Sequence, residues 1–215
     1  MNILSINVGR PRDVVSHGKT VRTSIFKEPV TGAVRARTLN LDGDEQSDLS
    51  VHGGPDKAVY AYPSEHYPYW RAELPDVEFP WGAFGENLTT EGLSERATHI
   101  GDRLYVGDAE FVVTQPRLPC FKLGIRFGRL DMVKRFQRSG RSGFYLAVVR
   151  EGMVAAGDAV RLVAGEQHGV SVADIVGLYT SSGADHALLQ RAAELAALPE
   201  SWRDYFRSRI RGPRP

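Results

Sequence analysis

Residues 113–124 read VTQPRLPCFKLG and hold Cys120, the only cysteine in a chain of 215 residues. Pro116 and Pro119 restrict the backbone that leads to it. Arg117 and Lys122 place positive charge on either side. The reactive form of a cysteine is the thiolate, which nearby cations favour over a thiol of reference pKa near ~8.5. Three readings stay open on these residues alone. Cys120 is a buried, inert apolar side chain, a nucleophile whose base lies elsewhere, or a soft ligand for a sulfur-preferring metal.

The flanks of this stretch are β in character. Leu104–Val106 and Phe111–Thr114 lie on either side of Gly107-Asp108, a hairpin signal, so the cysteine loop leaves the end of a strand. Downstream, Leu130, Val133 and Phe136 recur every third residue and predict a helix over Leu130–Gln137. Gly143–Val149 is a strong strand, and Met153–Ala155 and Ala159–Val163 follow across the turns Glu151-Gly152 and Gly157-Asp158. Short strands between such turns imply a barrel or a sandwich.

Toward the N-terminus, Asn2–Val8 is a short apolar strand stopped by Gly9-Arg10-Pro11. Lys19–Phe26 and Val34–Leu41 alternate loosely and predict two more. The acidic run Asp42–Asp48 reads as a solvated connection. His52-Gly53-Gly54-Pro55-Asp56-Lys57 is a glycine turn feeding the strand Ala58–Tyr62, rich in β-branched and aromatic residues. Pro63-Ser64 opens a helix with Tyr67, Trp70 and Leu74. Phe84-Gly85-Glu86-Asn87 is a second glycine turn, leading into Leu88–Thr90.

After Ala164-Gly165 the periodicity changes to helical. Ser171 with Asp174 forms a variant capping box, ahead of Val172, Ile175, Val176 and Tyr179. Asp185 caps a helix with Leu188, Ala192 and Leu195. Pro199 opens a third, with Trp202, Tyr205, Phe206 and Ile210 on one face. The chain therefore divides into a mainly β domain, residues 1–165, and a small C-terminal three-helix domain, residues 166–215.

Bulk properties bound the function. The formal net charge is +1, with 42% hydrophobic and 25% charged residues. That composition is globular, and the charge argues against nucleic acid or membrane surfaces as partners. One cysteine cannot form an intrachain disulfide, and the N-terminus lacks a signal-peptide apolar region. A cytoplasmic protein is expected. The chain shows no Walker loop, no GxGxxG, no HExxH and no CxxC. No spacing supports a zinc site that joins Cys120 to His52 and His66. Each glycine turn reads either as a hairpin turn or as a concavity of backbone N–H groups that holds an anion with Lys57 or Asn87 nearby.

Four stretches together are similar to the MOSC family, named after the C-terminal domain of molybdenum cofactor sulfurase. They are HGGPDKAVYAYP (52–63), FGENLTTEGL (84–93), IGDRLYVGDAEFVVTQPRLPCFKLGIRFG (100–128) and SGFYLAVVREGMVAAGDAVRLV (142–163). They run in order over most of Met1–Val163. The tail resembles the 3-alpha domain that follows MOSC in YiiM-type proteins. The resemblance implies a distorted β-barrel and a bound molybdenum cofactor, a pterin dithiolene; family members are also associated with pyridoxal phosphate binding. It implies that Cys120 is the catalytic residue and supplies a thiolate to molybdenum. Cofactor-binding candidates carried by the matching motifs are His52, Gly53, Gly54, Lys57, Gly85, Glu86, Asn87, Gln115, Arg117 and Lys122.

The implied activity is reduction of N-hydroxylated compounds such as 6-N-hydroxylaminopurine, protecting against toxic base analogues. The chain carries no flavin, haem or iron–sulfur motif, so its electrons are expected from a separate flavin or iron–sulfur reductase. The acidic loop or the tail could dock that partner, and the tail could equally serve packing or a homodimer. A binding module that carries the cofactor, or a persulfide on Cys120, is the alternative. His52 and His66 are possible proton donors or structural histidines.

Overall fold

A computed structural model describes residues 1–47, 53–167, 169–181 and 185–211. The strands, in chain order, are β1 (Asn2–Val8), β2 (Arg12–Ser16), β3 (Lys19–Thr23), β4 (Glu28–Pro29), β5 (Val34–Ala36) and β6 (Val59–Pro63). They continue as β7 (Leu88–Glu91), β8 (Arg103–Val106), β9 (Ala109–Pro116), β10 (Phe144–Arg150), β11 (Gly152–Val154) and β12 (Val160–Val163). The helices are α1 (Tyr67–Glu73), α2 (Phe121–Phe127), α3 (Met132–Ser139), α4 (Val172–Thr180), α5 (His186–Glu194) and α6 (Glu200–Arg211).

Eight strands form one sheet in the order β12-β8-β9-β10-β6-β7-β1-β4. Neighbours are antiparallel except β6 and β7, which run parallel because α1 carries the chain across between them. The sheet curls on itself. Ile3 N donates to Asp158 O at 2.9 Å, Gly157 N to Ile3 O at 2.7 Å and Val160 N to Met1 O at 2.9 Å. These bonds stitch β1 to the approach of β12 without a full ladder, so the barrel is distorted. The fold is mainly β, with the helical region at its C-terminus.

Alternation along β9 puts Ala109, Phe111 and Val113 inside, facing Leu104, Val106, Phe144 and Leu146 of the neighbouring strands. The same apolar cluster continues into Val172, Ile175, Leu189, Ala192 and Phe206 of the tail. The three helices therefore bury their apolar faces against the barrel. A second, aromatic core gathers Tyr62, Tyr67, Trp70, Phe84 and Phe136 under the cysteine loop. Its rings meet at 4.6–6.1 Å in mixed stacked and edge geometries.

Several elements differ from their sequence reading. Strand β2, which the polar sequence RDVVS hides, pairs with β3 around His17-Gly18, where φ is positive at both residues (49° and 72°). The strand expected over Val34–Leu41 stops at Ala36, because Arg37 N donates to Asn40 O and the chain turns so that Ala36 bridges Leu41. Among the described residues, the first glycine turn leads through a 3-10 turn (Pro55–Lys57) toward β6, and the second enters β7, which pairs parallel to β6 rather than closing a hairpin with it. The cysteine loop runs straight into a helix, α2, with Cys120 at its N-cap and Gly128 in the left-handed conformation at its C-cap.

Helix α3 begins at Met132 rather than Leu130. It buries Met132 and Phe136, four apart, and Leu130 stays 78% exposed. In α4 the buried stripe is Val172, Ile175 and Leu178, so Tyr179 turns outward. The caps match their reading: Ser171 and Asp174 form the capping box, and the Asp185 side chain accepts from Leu188 N.

Candidate functional site

Three turns converge on one pocket. They are the turn before β6 with Lys57, the turn before β7 with Gly85 and Asn87, and the end of β9 with Arg117, Cys120 and Lys122. The parallel pairing of β6 with β7 and the antiparallel pairing of β6 with β10 and β10 with β9 bring these strand ends together. The pocket holds about 650 Å³ of empty space, its open mouth included.

Arg117 is the charged centre of the wall. It is buried, with its guanidinium carbon 5.0 Å from the Tyr60 ring centroid and 5.1 Å from that of Phe136. Burial works against its charge, but Tyr60, Tyr145 and Cys120 outweigh that and raise its pKa above the ordinary value. Its Nη1 makes no hydrogen bond with the described residues, and neither does the buried Ser24 Oγ on the same pocket. Two buried polar atoms left over on one cavity mark a place for a polar ligand.

Lys122 is buried and donates from Nζ to Ser47 Oγ at 3.3 Å. Burial lowers the pKa of Lys57, with Asp56 opposing. Burial raises the pKa of Tyr145, so its phenol stays protonated and faces the pocket as a neutral group. Gly85 has φ 79°, and a Cβ there would sit 2.9 Å from Ile25 Cγ1. The turn that closes this wall therefore requires glycine.

Asn87 lines the pocket with its amide already engaged. Tyr60 N donates to its Oδ1 at 3.0 Å, and its Nδ2 donates to Asp44 Oδ2 at 2.9 Å and Asn7 O at 3.3 Å. Glu86 turns away from the pocket. Its buried carboxylate accepts from Gly82 N at 2.9 Å, Phe84 N at 3.0 Å, Thr89 Oγ1 at 3.0 Å and the Tyr67 hydroxyl. Gln115 also lies off the pocket wall, accepting from Trp202 Nε1 at 2.7 Å while its Nε2 reaches Asp56 O at 3.4 Å. Gly53 and Gly54 do not line it, and His52 lies outside the described residues. His66 is held by Glu95 at 2.8 Å, and Glu95 in turn accepts from Gly143 N, so this histidine braces the entry to β10.

Sequence reasoning missed the opposite wall, made by Ser24, Ile25, Lys27 and residues 44–47. Asp44 is not solvated, as its acidic run suggested. It is 4% exposed, pairs with the buried Lys27 and accepts from Gly9 N at 2.8 Å. Burial lowers the pKa of Lys27, and Asp44 works to raise it. The signal was slight: Lys27 directly follows the apolar pair Ile25-Phe26, and a lysine carried inward needs a buried partner.

Among the described residues, no three His, Cys, Asp or Glu side chains converge as a metal cluster would require. Cys120 stands as a single soft donor among cations. Nor is any helix of the described residues long and apolar enough to cross a membrane.

This barrel, with a lone thiol and several cations at converging strand ends, defines a class. The MOSC domain model matches residues 48–161, and the YiiM-like 3-alpha helix domain model matches residues 170–212. The chain belongs to the MOSC family and is of the YiiM type. A Bacillus subtilis relative, the uncharacterized protein YflK, is 41% identical over 95% of this chain and 92% of its own length. A Gibberella moniliformis protein named reductase is 37% identical over 75% of this chain, which spans 29% of that protein. The crystal structure of YiiM from Geobacillus stearothermophilus superposes with TM-score 0.81 at 35% identity, over 97% of this chain and 98% of that one. The wall formed by residues 23–27 and 44–47 lies ahead of the matched MOSC segment.

Proposed function

We propose that this chain is a molybdenum-cofactor-dependent reductase of N-hydroxylated compounds, with 6-N-hydroxylaminopurine as a representative substrate. The observation that carries the reading is the Cys120 thiol on a cation-lined pocket that also holds two unsatisfied buried polar atoms. A pterin dithiolene with a phosphate is an anion with many polar edges. Arg117, Lys122 and Lys57 would hold its negative charge, and Ser24 Oγ and Arg117 Nη1 would meet polar edges. Cys120 would supply the protein thiolate, and the cations around it favour that form.

The cofactor, when bound, supplies a two-electron centre able to take the oxygen of an N–OH group. The chain's own residues do the rest. Tyr60 and Phe136 fix the Arg117 guanidinium between them. Tyr145 presents a neutral hydroxyl within the pocket. The Lys27–Asp44 pair holds the wall formed ahead of the family segment. The name of the fungal relative supports oxidoreductase chemistry, and the family supports the cofactor.

The test is turnover. Protein made in a cofactor-competent host should convert 6-N-hydroxylaminopurine to adenine with reduced methyl viologen as electron source, and Cys120→Ala should abolish this. Cofactor-loaded protein that binds the compound without turnover would favour the carrier reading instead.

A further inference from the structure

The reductase reading leaves one requirement open: electrons must enter from another protein. The geometry points to the outer face of α2 and α3 as the docking surface for an acidic flavoprotein electron donor. This inference rests on the reductase reading for its purpose, and on charge and exposure for its location.

Charge is concentrated here. Arg126, Arg129, Lys134, Arg135, Arg138 and Arg141 fall within 126–141, where Asp131 is the one carboxylate, and Glu73 of α1 adds a second beside Arg135 at 3.2 Å. The whole chain carries a formal charge of only +1. Lys134 and Arg138 are both exposed, and their i, i+4 spacing puts them on one side of α3. Phe136, on the opposite side, is buried and lies under Arg117. The cationic face is therefore one helix thick from the guanidinium that borders Cys120.

Apolar surface is exposed beside it. Phe121, the residue after Cys120, is 60% exposed, and Leu130 is 78% exposed. Leu130 Cα lies 3.9 Å from where a Gly124 Cβ would be, and Gly124 is one helical turn from Phe121. An apolar pair next to a cationic face, immediately beside Cys120, has the make-up of a protein-docking patch. Its sign selects an acidic partner.

A flavin donor balances the reaction. R–NH–OH plus two electrons and two protons gives R–NH2 and water, with the N–O bond broken. One flavin hydroquinone, oxidised to the quinone, releases two electrons and two protons.

The probe is flavodoxin, an acidic flavoprotein, kept reduced by its NADPH-dependent reductase. The double variant Lys134→Glu/Arg138→Glu should raise KM for flavodoxin about tenfold at low salt and leave viologen-driven kcat unchanged. In the wild type, flavodoxin-driven turnover should fall as salt rises from about 0.05 to 0.5 M. Binding of flavodoxin to cofactor-free protein, measured by calorimetry, should weaken equally in the double variant. Absence of viologen-driven turnover would defeat the reductase reading, and the calorimetry would still decide the surface. Unchanged flavodoxin binding in the variant, no flavodoxin binding by the wild type, or binding of duplex DNA by this face instead, would overturn the assignment.

Discussion

Trp202 Nε1 donates to Gln115 Oε1 across 2.7 Å, and so joins the last helix to the strand that ends at the cysteine loop. Gln115 passes the connection on through Nε2 to Asp56 O, beside Lys57, which Thr114 Oγ1 also reaches at 2.7 Å. The helical tail thus braces two of the three turns that form the pocket. Trp202→Phe leaves Gln115 Oε1 buried without its donor, and a loss of about 1–3 kcal/mol is expected in urea unfolding. Unchanged stability would mean that the tail does not support the site.

The Lys27–Asp44 pair is buried, with side chains 9% and 2% exposed. Asp44→Ala strands a buried ammonium and removes the acceptor of Gly9 N and Asn87 Nδ2. A loss of about 3–5 kcal/mol is expected. The double variant Lys27→Met/Asp44→Leu should recover part of it, since it leaves no lone charge. Equal stability of the single variant and the wild type in chemical denaturation would contradict this account of the wall.

How much of this was readable from sequence depended on whether a residue's partner lay nearby in the chain. The hairpin around Gly107-Asp108, the capping box at Ser171 and the strand of Gly143–Val149 are local patterns, and the fold follows them. Lys57, Gly85, Asn87, Arg117, Cys120 and Lys122 come from separate turns, and their meeting on one wall needed the sheet order. Asp44 looked solvated because its acidic neighbours hid a partner 17 residues away in Lys27. Glu86 and Gln115 lie within two residues of pocket residues in sequence, yet their side chains point to the core and to the tail.

Arg117 and Lys122 are predicted to hold the anionic part of the cofactor. Arg117→Gln and Lys122→Gln should each lower molybdenum per chain several-fold after gel filtration, with little change in circular dichroism. Full occupancy in both variants would show that neither cation bears on the ligand.

The docking face carries a titration marker. Hydrogen bonds from Arg129 and Arg135 hold the Asp131 carboxyl at about 2, below its ordinary 3.8. A depressed carboxyl contributes stability that is complete above the unfolded value and disappears as pH falls through the folded one. The window is therefore pH 3.8 down to about 2, and the effect is weakened by salt because the pair is solvent-facing. Arg135→Gln should move Asp131 up toward 3.8 in a carboxyl-carbon NMR titration. An unmoved Asp131 would show that Arg135 does not hold it.

The central claim is that Cys120 and its surrounding cations form a molybdenum cofactor site. The direct measurement is elemental and pterin analysis of protein purified from a cofactor-competent host, with Cys120→Ala beside it. The account predicts about one molybdenum and one pterin per wild-type chain, with molybdenum lost or reduced in Cys120→Ala. Wild-type protein containing neither would contradict the claim and return Cys120 to an inert side chain.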